Sequence, residues 1–130
     1  MKILGIDYGA KWVGLAISDD GRLLAFAYKT LENNSKVFSV LNEIVKKEDI
    51  YKIVIGLPLN KKMKKTPQTI EVENWAKQLT DKIKISVCFE NEIFTSVAAD
   101  KLGAKNQHAA AATIFLQSYL DRSWIKLKTK

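Results

Sequence analysis

The stretch Lys2-Ile3-Leu4-Gly5-Ile6-Asp7-Tyr8-Gly9-Ala10-Lys11-Trp12-Val13-Gly14-Leu15-Ala16-Ile17-Ser18-Asp19-Asp20-Gly21 decides the fold. An apolar run ending in an acid, Lys2 to Asp7, reads as a buried strand. Tyr8 to Lys11 reads as a turn, in which Gly9 can take positive φ. Trp12 to Ser18 reads as a second strand, Asp19-Asp20-Gly21 as a hairpin turn, and Arg22 to Lys29 as a third strand. Together they predict an antiparallel meander whose first strand carries a carboxylate at its C-terminal end.

Beyond the meander, helices and strands alternate. Val37, Val40, Leu41, Ile44 and Val45 recur at helical spacing, with Asn34 or Ser35 as candidate cap. Ile53 to Leu57 is a β-branched run that reads as a strand buried on both faces. Thr66-Pro67 opens a helix with Pro in its first turn, and Ile70, Val72, Trp75, Ala76 and Leu79 supply its apolar side. Ile83 to Phe89 is the fifth strand. Thr95 to Leu102 reads as a short helix stopped by Gly103, and the last helix runs from near Gln107 to about Ser123. The order predicts an α/β fold with a five-stranded mixed sheet, a three-strand antiparallel meander plus two parallel strands, flanked by helices. One domain is expected over residues 1–123, with a frayed basic tail at 124–130. Acidic or polar groups end strands one, four and five, the edge at which open α/β sheets place their sites.

Composition narrows the function classes. A chain of 130 residues with 47% hydrophobic and 27% charged residues fits one globular domain, not a disordered, collagenous or disulfide-stapled one. Charge interrupts the apolar runs too often for a membrane span, and the start lacks the features of a secretory signal. The single cysteine, Cys88, is mid-strand and reads as core; with no internal disulfide available, a cytoplasmic location is expected. The 21 Lys and Arg against 14 Asp and Glu give a formal charge of +7, which favours polyanions as partners, nucleic acid first. Nineteen of those bases are Lys, so solubility alone is a competing reading of the charge.

Asp7 is the first candidate for chemistry. A carboxylate ending an apolar strand is partly desolvated and needs a metal, a base or backbone N–H groups beside it. Glu90 and Glu92 share one face at the end of the fifth strand. His108, the only histidine, opens an Ala-rich helix and becomes a metal ligand if Asp7 and Glu92 are near. Lys61, Lys62, Lys64 and Lys65 form a basic loop that can meet phosphates. Trp12, Trp75 and Trp124 read as core before stacking platforms. An Asp-x-Gly turn also occurs in the phosphate loops of actin-like and sugar-kinase ATPases, but those need two such domains around a nucleotide, and this chain is too short.

Four segments, in order, resemble the YqgF/RuvX family: Gly5-Ile6-Asp7-Tyr8-Gly9 with Lys11, Val13 and Gly14; Val54 to Asn60; Asn91 to Ser96; and His108 with Ala111, Ala112, Leu116, Gln117, Ser118 and Tyr119. The resemblance implies a ribonuclease H-like fold and a divalent-metal-dependent nuclease that processes the 5′ end of pre-16S ribosomal RNA. The older family description, a Holliday junction resolvase, is the alternative. Carried over by position, the resemblance implies a catalytic and metal-binding set of Asp7, Glu92 and His108; contacts to nucleic acid are expected from Lys11, Asn60, Lys61 and Lys62. The sequence departs from the family pattern at His108, which replaces the third acid, at Ile93, which replaces an Arg, at Asn91, which replaces an Asp, and near Lys61-Lys62, where an Asp-Gly pair is usual.

The implied cofactor is Mg²⁺ or Mn²⁺. A nitrogen donor with one negative charge fewer weakens Mg²⁺ and favours Mn²⁺. The implied partners are pre-rRNA or branched DNA, and ribosomal precursor particles. A junction resolvase would act as a homodimer, whereas an RNA trimmer could be a monomer. Loss of the third acid also admits a catalytically weakened nucleic-acid-binding protein.

Overall fold

The computed structural model describes residues 1–91 and 104–128, with side chains for 1–91 and 105–123. The meander forms as read: β1 (Lys2–Asp7), β2 (Trp12–Ser18) and β3 (Ala25–Glu32). The third strand starts three residues later than predicted because the hairpin is longer than a tight two-residue turn. Asp19 Oδ1 accepts hydrogen bonds from the backbone N–H groups of Leu23 and Leu24, and Arg22 takes φ 58°. Those two N–H groups hold the Asp19 carboxyl below its ordinary range.

Helix α1 (Val37–Lys47) buries Val37, Leu41 and Ile44. Its N-cap is Lys36 and not Asn34 or Ser35; Asn34 instead accepts from the Lys36 N–H, one turn before the helix. Strand β4 (Ile50–Leu57) leads to α2 (Pro67–Lys82), where Thr66 and Thr69 form a reciprocal capping box. Val72, Trp75, Ala76 and Leu79 are buried as expected, while Ile70 is exposed. Strand β5 (Ser86–Asn91) begins three residues later than read. The last described element is α3 (Ala104–Lys128). It is helical through Lys128, where a frayed tail was expected after Ser123. The short helix predicted over 95–102 lies outside the described residues.

The sheet has the order β3-β2-β1-β4-β5, with β1–β2 and β2–β3 antiparallel and β1–β4 and β4–β5 parallel. Alternation along the strands splits the interior into two layers. Leu4, Ile6, Val13, Leu15, Ile17, Ile53 and Ile55 pack against α1 and α2. Ile3, Ala16 and Val54 pack against Ala112, Phe115, Leu116 and Leu120 of α3. The odd-numbered positions of β1, ending at Asp7, therefore look toward α3.

Candidate active site

Asp7 is the last residue of β1 and lies opposite Gly14 of β2. It is one of four buried polar residues among those described, with 6% of its surface exposed. A carboxylate so desolvated needs a partner. That partner comes from α3: His108 Nδ1 lies 2.6 Å from Asp7 Oδ2. With the carboxylate ionised, Nδ1–H donates and the ring is fixed in that tautomer.

Gly14 is what lets the helix reach the strand. A Cβ placed there would land on the backbone of His108 and Ala109, which no rotamer change could relieve. Gly9 does the same for the ring, since a Cβ there would sit 2.6 Å from His108 Cε1 and Nε2. At Gly5 a Cβ would stand 3.0 Å from Leu116 Cβ, a tighter contact than ordinary packing allows. Glycines in a strand that mark a close approach of another backbone are the expected use of the residue. The imidazole is thus held between a buried carboxylate and the Gly9 turn. Asn33 Nδ2 fixes that turn by donating to the Gly9 carbonyl at 2.9 Å.

The other predicted residues are distributed around this pair. Glu92 lies outside the described residues. Glu90, in register with Gly56 of β4, is buried and ion-paired with Arg122 of α3. Its Oε1 is engaged by Arg122, and among the described residues it forms no three-ligand group with Asp7 and His108. Lys11 is exposed in the turn after β1. Asn60 turns its side-chain oxygen inward on its own loop, accepting from the N–H groups of Lys62 and Lys64 at 2.9 and 3.0 Å. That leaves Lys61 and Lys62 exposed, while Lys65 pairs with Glu73 at 3.0 Å.

Trp75 is core, stacked on Phe38 with ring centroids 5.4 Å apart. Trp12 is not core: it is half-buried and belongs to neither hydrophobic cluster. Trp124 has no described side chain. Cys88 is half-buried against the α3 layer.

Sequence reasoning did not find the roles of Gly14 and Arg122. The first had a signal, because Gly14 and Ala16 put two small residues on one strand face and Ala109 to Ala112 put four on a helix. Small faces of that kind pair closely. Arg122 had none, since nothing local marks which acid a lone surface-phase Arg will meet.

Chemically, the Nδ1–H hydrogen bond leaves Asp7 Oδ1 and His108 Nε2 as the donors of the pair, a hard oxygen and a borderline nitrogen of the kinds that hold divalent cations. Among the described residues no group of three or more His, Cys, Asp or Glu side chains could hold a metal ion. The pair is thus two donors of the expected three.

The layered mixed sheet with an acid at the end of its first strand defines a ribonuclease H-like protein. Its fold matches that of T. thermophilus RuvC in complex with Holliday junction substrate, with a TM-score of 0.63 and 14% identity over 95% of this chain and 96% of that one. It also matches the fowlpox virus resolvase bound to Holliday junction DNA, with a TM-score of 0.58 and 13% identity over 95% of this chain and 99% of that one. A family model described as "RuvX: Holliday junction resolvase" matches residues 1–122, and the chain belongs to that family.

Two similar relatives are each named "Putative pre-16S rRNA nuclease". That of Maridesulfovibrio salexigens is 38% identical, covering 95% of this chain and all of its own. That of Caldanaerobacter subterraneus subsp. tengcongensis is 36% identical, covering 93% and 96%.

Proposed function

We propose that this protein is a divalent-metal-dependent nuclease that hydrolyses phosphodiester bonds, and that its role is 5′-end processing of pre-16S rRNA in the cytoplasm. The observation that carries the reading is the buried Asp7 carboxylate paired with His108 Nδ1 at 2.6 Å, at the C-terminal edge of the sheet. Membership of the RuvX family and the names of its relatives supply the reaction and the RNA.

Asp7, His108 and Glu92 would hold Mg²⁺ or Mn²⁺. Such an ion, when bound, activates water and neutralises charge on the phosphate. The chain's own residues do the rest. Burial strengthens the Asp7 charge toward a cation by keeping water from competing for it. The Gly9 turn stops the imidazole from swinging away. Lys11, Lys61 and Lys62 attract and register the strand through its phosphates, in line with the formal charge of +7. Ribosomal precursor particles are the expected carriers of the RNA.

A second reading is junction resolution on DNA, favoured by the family's own description. It requires two sites and hence a homodimer, whereas RNA trimming needs only a monomer.

The test is cleavage of end-labelled precursor RNA, duplex DNA and a four-way junction with Mg²⁺, Mn²⁺ or EDTA. Metal-dependent cutting of the RNA supports the first reading, and selective cutting of the junction supports the second. Salt-sensitive binding without cutting in either metal would leave a binding protein and overturn both.

A further inference from the structure

Trp12 starts β2 two residues before Gly14, beside the Asp7–His108 pair. Its ring is half-buried and outside both hydrophobic clusters. Two ammonium groups from different elements converge on it. Lys11 Nζ, from the turn after β1, lies 5.6 Å from the ring centroid. Lys105 Nζ, from the first turn of α3, lies 5.3 Å away. Both lysines are exposed, and among the described residues neither has a carboxylate within ion-pair distance.

Two ammonium groups thus gather at one ring with no carboxylate in ion-pair distance among the described residues to balance them, and each is held there by only a weak attraction. An anion that also carries an aromatic group would satisfy all three side chains. Lys105 also lines a cavity of about 330 Å³ between β3 and α3, together with Lys29, Thr30 and Asn106.

We infer that Trp12 is a stacking platform for one unpaired base of the substrate strand, with Lys11 and Lys105 holding the phosphates on either side of that nucleotide. The base covers the indole in place of an ammonium, and the displaced ammonium meets a phosphate. Stacking on an indole tolerates any base sequence but requires an unpaired base, because both faces of a paired one are already covered. The substrate next to the site is therefore single-stranded. The inference rests on the nuclease reading for its position, but its test does not.

Binding of fluorescein-labelled single-stranded RNA, single-stranded DNA and an RNA duplex of the same sequence is measured in EDTA, where no cleavage occurs. Trp12→Leu weakens both single strands roughly five- to a hundredfold and leaves the duplex unchanged. Trp12→Phe keeps most of the affinity. Of RNA and DNA, the tighter binder identifies the source of the base. Lys11→Ala and Lys105→Ala each lower the slope of log affinity against log salt by about 0.7 on a single strand. Indole fluorescence of the wild type is quenched by the single strand, and Trp12→Phe abolishes that quench even if Trp12→Leu fails to fold.

Equal weakening on single strand and duplex, or none on either, overturns the inference. Cutting by the wild type with no Trp12 effect would sink this inference alone. A Trp12 effect without cutting in any metal would sink the nuclease reading alone.

Discussion

On one face of the sheet Leu4, Ile6, Val13, Leu15 and Ile17 meet Leu41, Ile44, Trp75 and Leu79 through large side chains. On the other face Gly5, Gly14 and Ala16 meet Ala109, Ala112 and Leu116 of α3. The first face excludes water by bulk, so its elements stand a side chain apart. The second closes backbone onto backbone, and its payoff is position: α3 comes near enough to β1 and β2 for His108 to touch Asp7. Farther along α3 that face also packs large side chains, Ile3 and Val54 against Phe115 and Leu120; only the stretch beside Asp7 is closed by small residues, and that stretch makes the site accurate.

Substitutions can pull the two apart. Asp7→Asn keeps the shape of the side chain but removes the charge, so cleavage falls by at least about a thousandfold. Its melting temperature stays within a few degrees of wild type. A stable variant that cuts normally would break the assignment of the α3 face as the functional one. Gly14→Ala acts by geometry and not by charge. Its Cβ has no room against the His108 and Ala109 backbone, so α3 must shift. Cleavage is expected to drop at least a hundredfold, together with about 2–4 kcal/mol of stability by urea titration. Retention of full activity would mean that His108 need not touch Asp7.

The large-residue face gives the opposite pattern. Leu79→Ala empties a fully buried position in α2 and costs about 2–5 kcal/mol. At a temperature where the variant is still folded, its rate of cleavage per folded molecule matches wild type. Comparable losses of stability and of intrinsic rate would show the two faces to be coupled.

Much of the fold was legible in the sequence, but the division between the two faces was not. The meander, the strand-end Asp7 and the Thr66-Pro67 helix start followed from local chemistry, because periodicity and turn residues act over a few positions. The identity of His108 as the partner of Asp7 did not, since the two lie 101 residues apart in the chain. Only the resemblance paired them. Trp12 read as core because an apolar aromatic in a strand normally is. Its place outside both hydrophobic clusters, between Lys11 and the Lys105 of α3, is set by elements far apart in the chain, which no local pattern signals. Glu90 looked available as an acid, and Arg122 from α3 engages its Oε1.

The smallest expected effect lies on the first face, at the Tyr28–Glu48 hydrogen bond of 2.8 Å. The Tyr28 hydroxyl, and then Lys2, hold the Glu48 carboxyl below its ordinary value of 4.5. A carboxyl lowered in the folded state stabilises above its unfolded pKa, and that contribution disappears as pH falls through the folded one. Tyr28→Phe therefore costs about 1 kcal/mol at pH 7, shrinking toward zero below the ordinary glutamate range, by urea titrations across pH. Cleavage is unaffected at pH 7, which sharpens the contrast with Gly14→Ala.

The most direct test is the rate of metal-dependent cleavage of end-labelled precursor RNA and a four-way junction by wild type, Asp7→Asn and His108→Ala. All three are checked for equal folding by circular dichroism. Wild type is expected to cut in Mn²⁺ or Mg²⁺ and not in EDTA, Asp7→Asn not at all, and His108→Ala at least about tenfold more slowly. Wild-type rates in both variants, or no cutting by the wild type in either metal, would contradict that expectation.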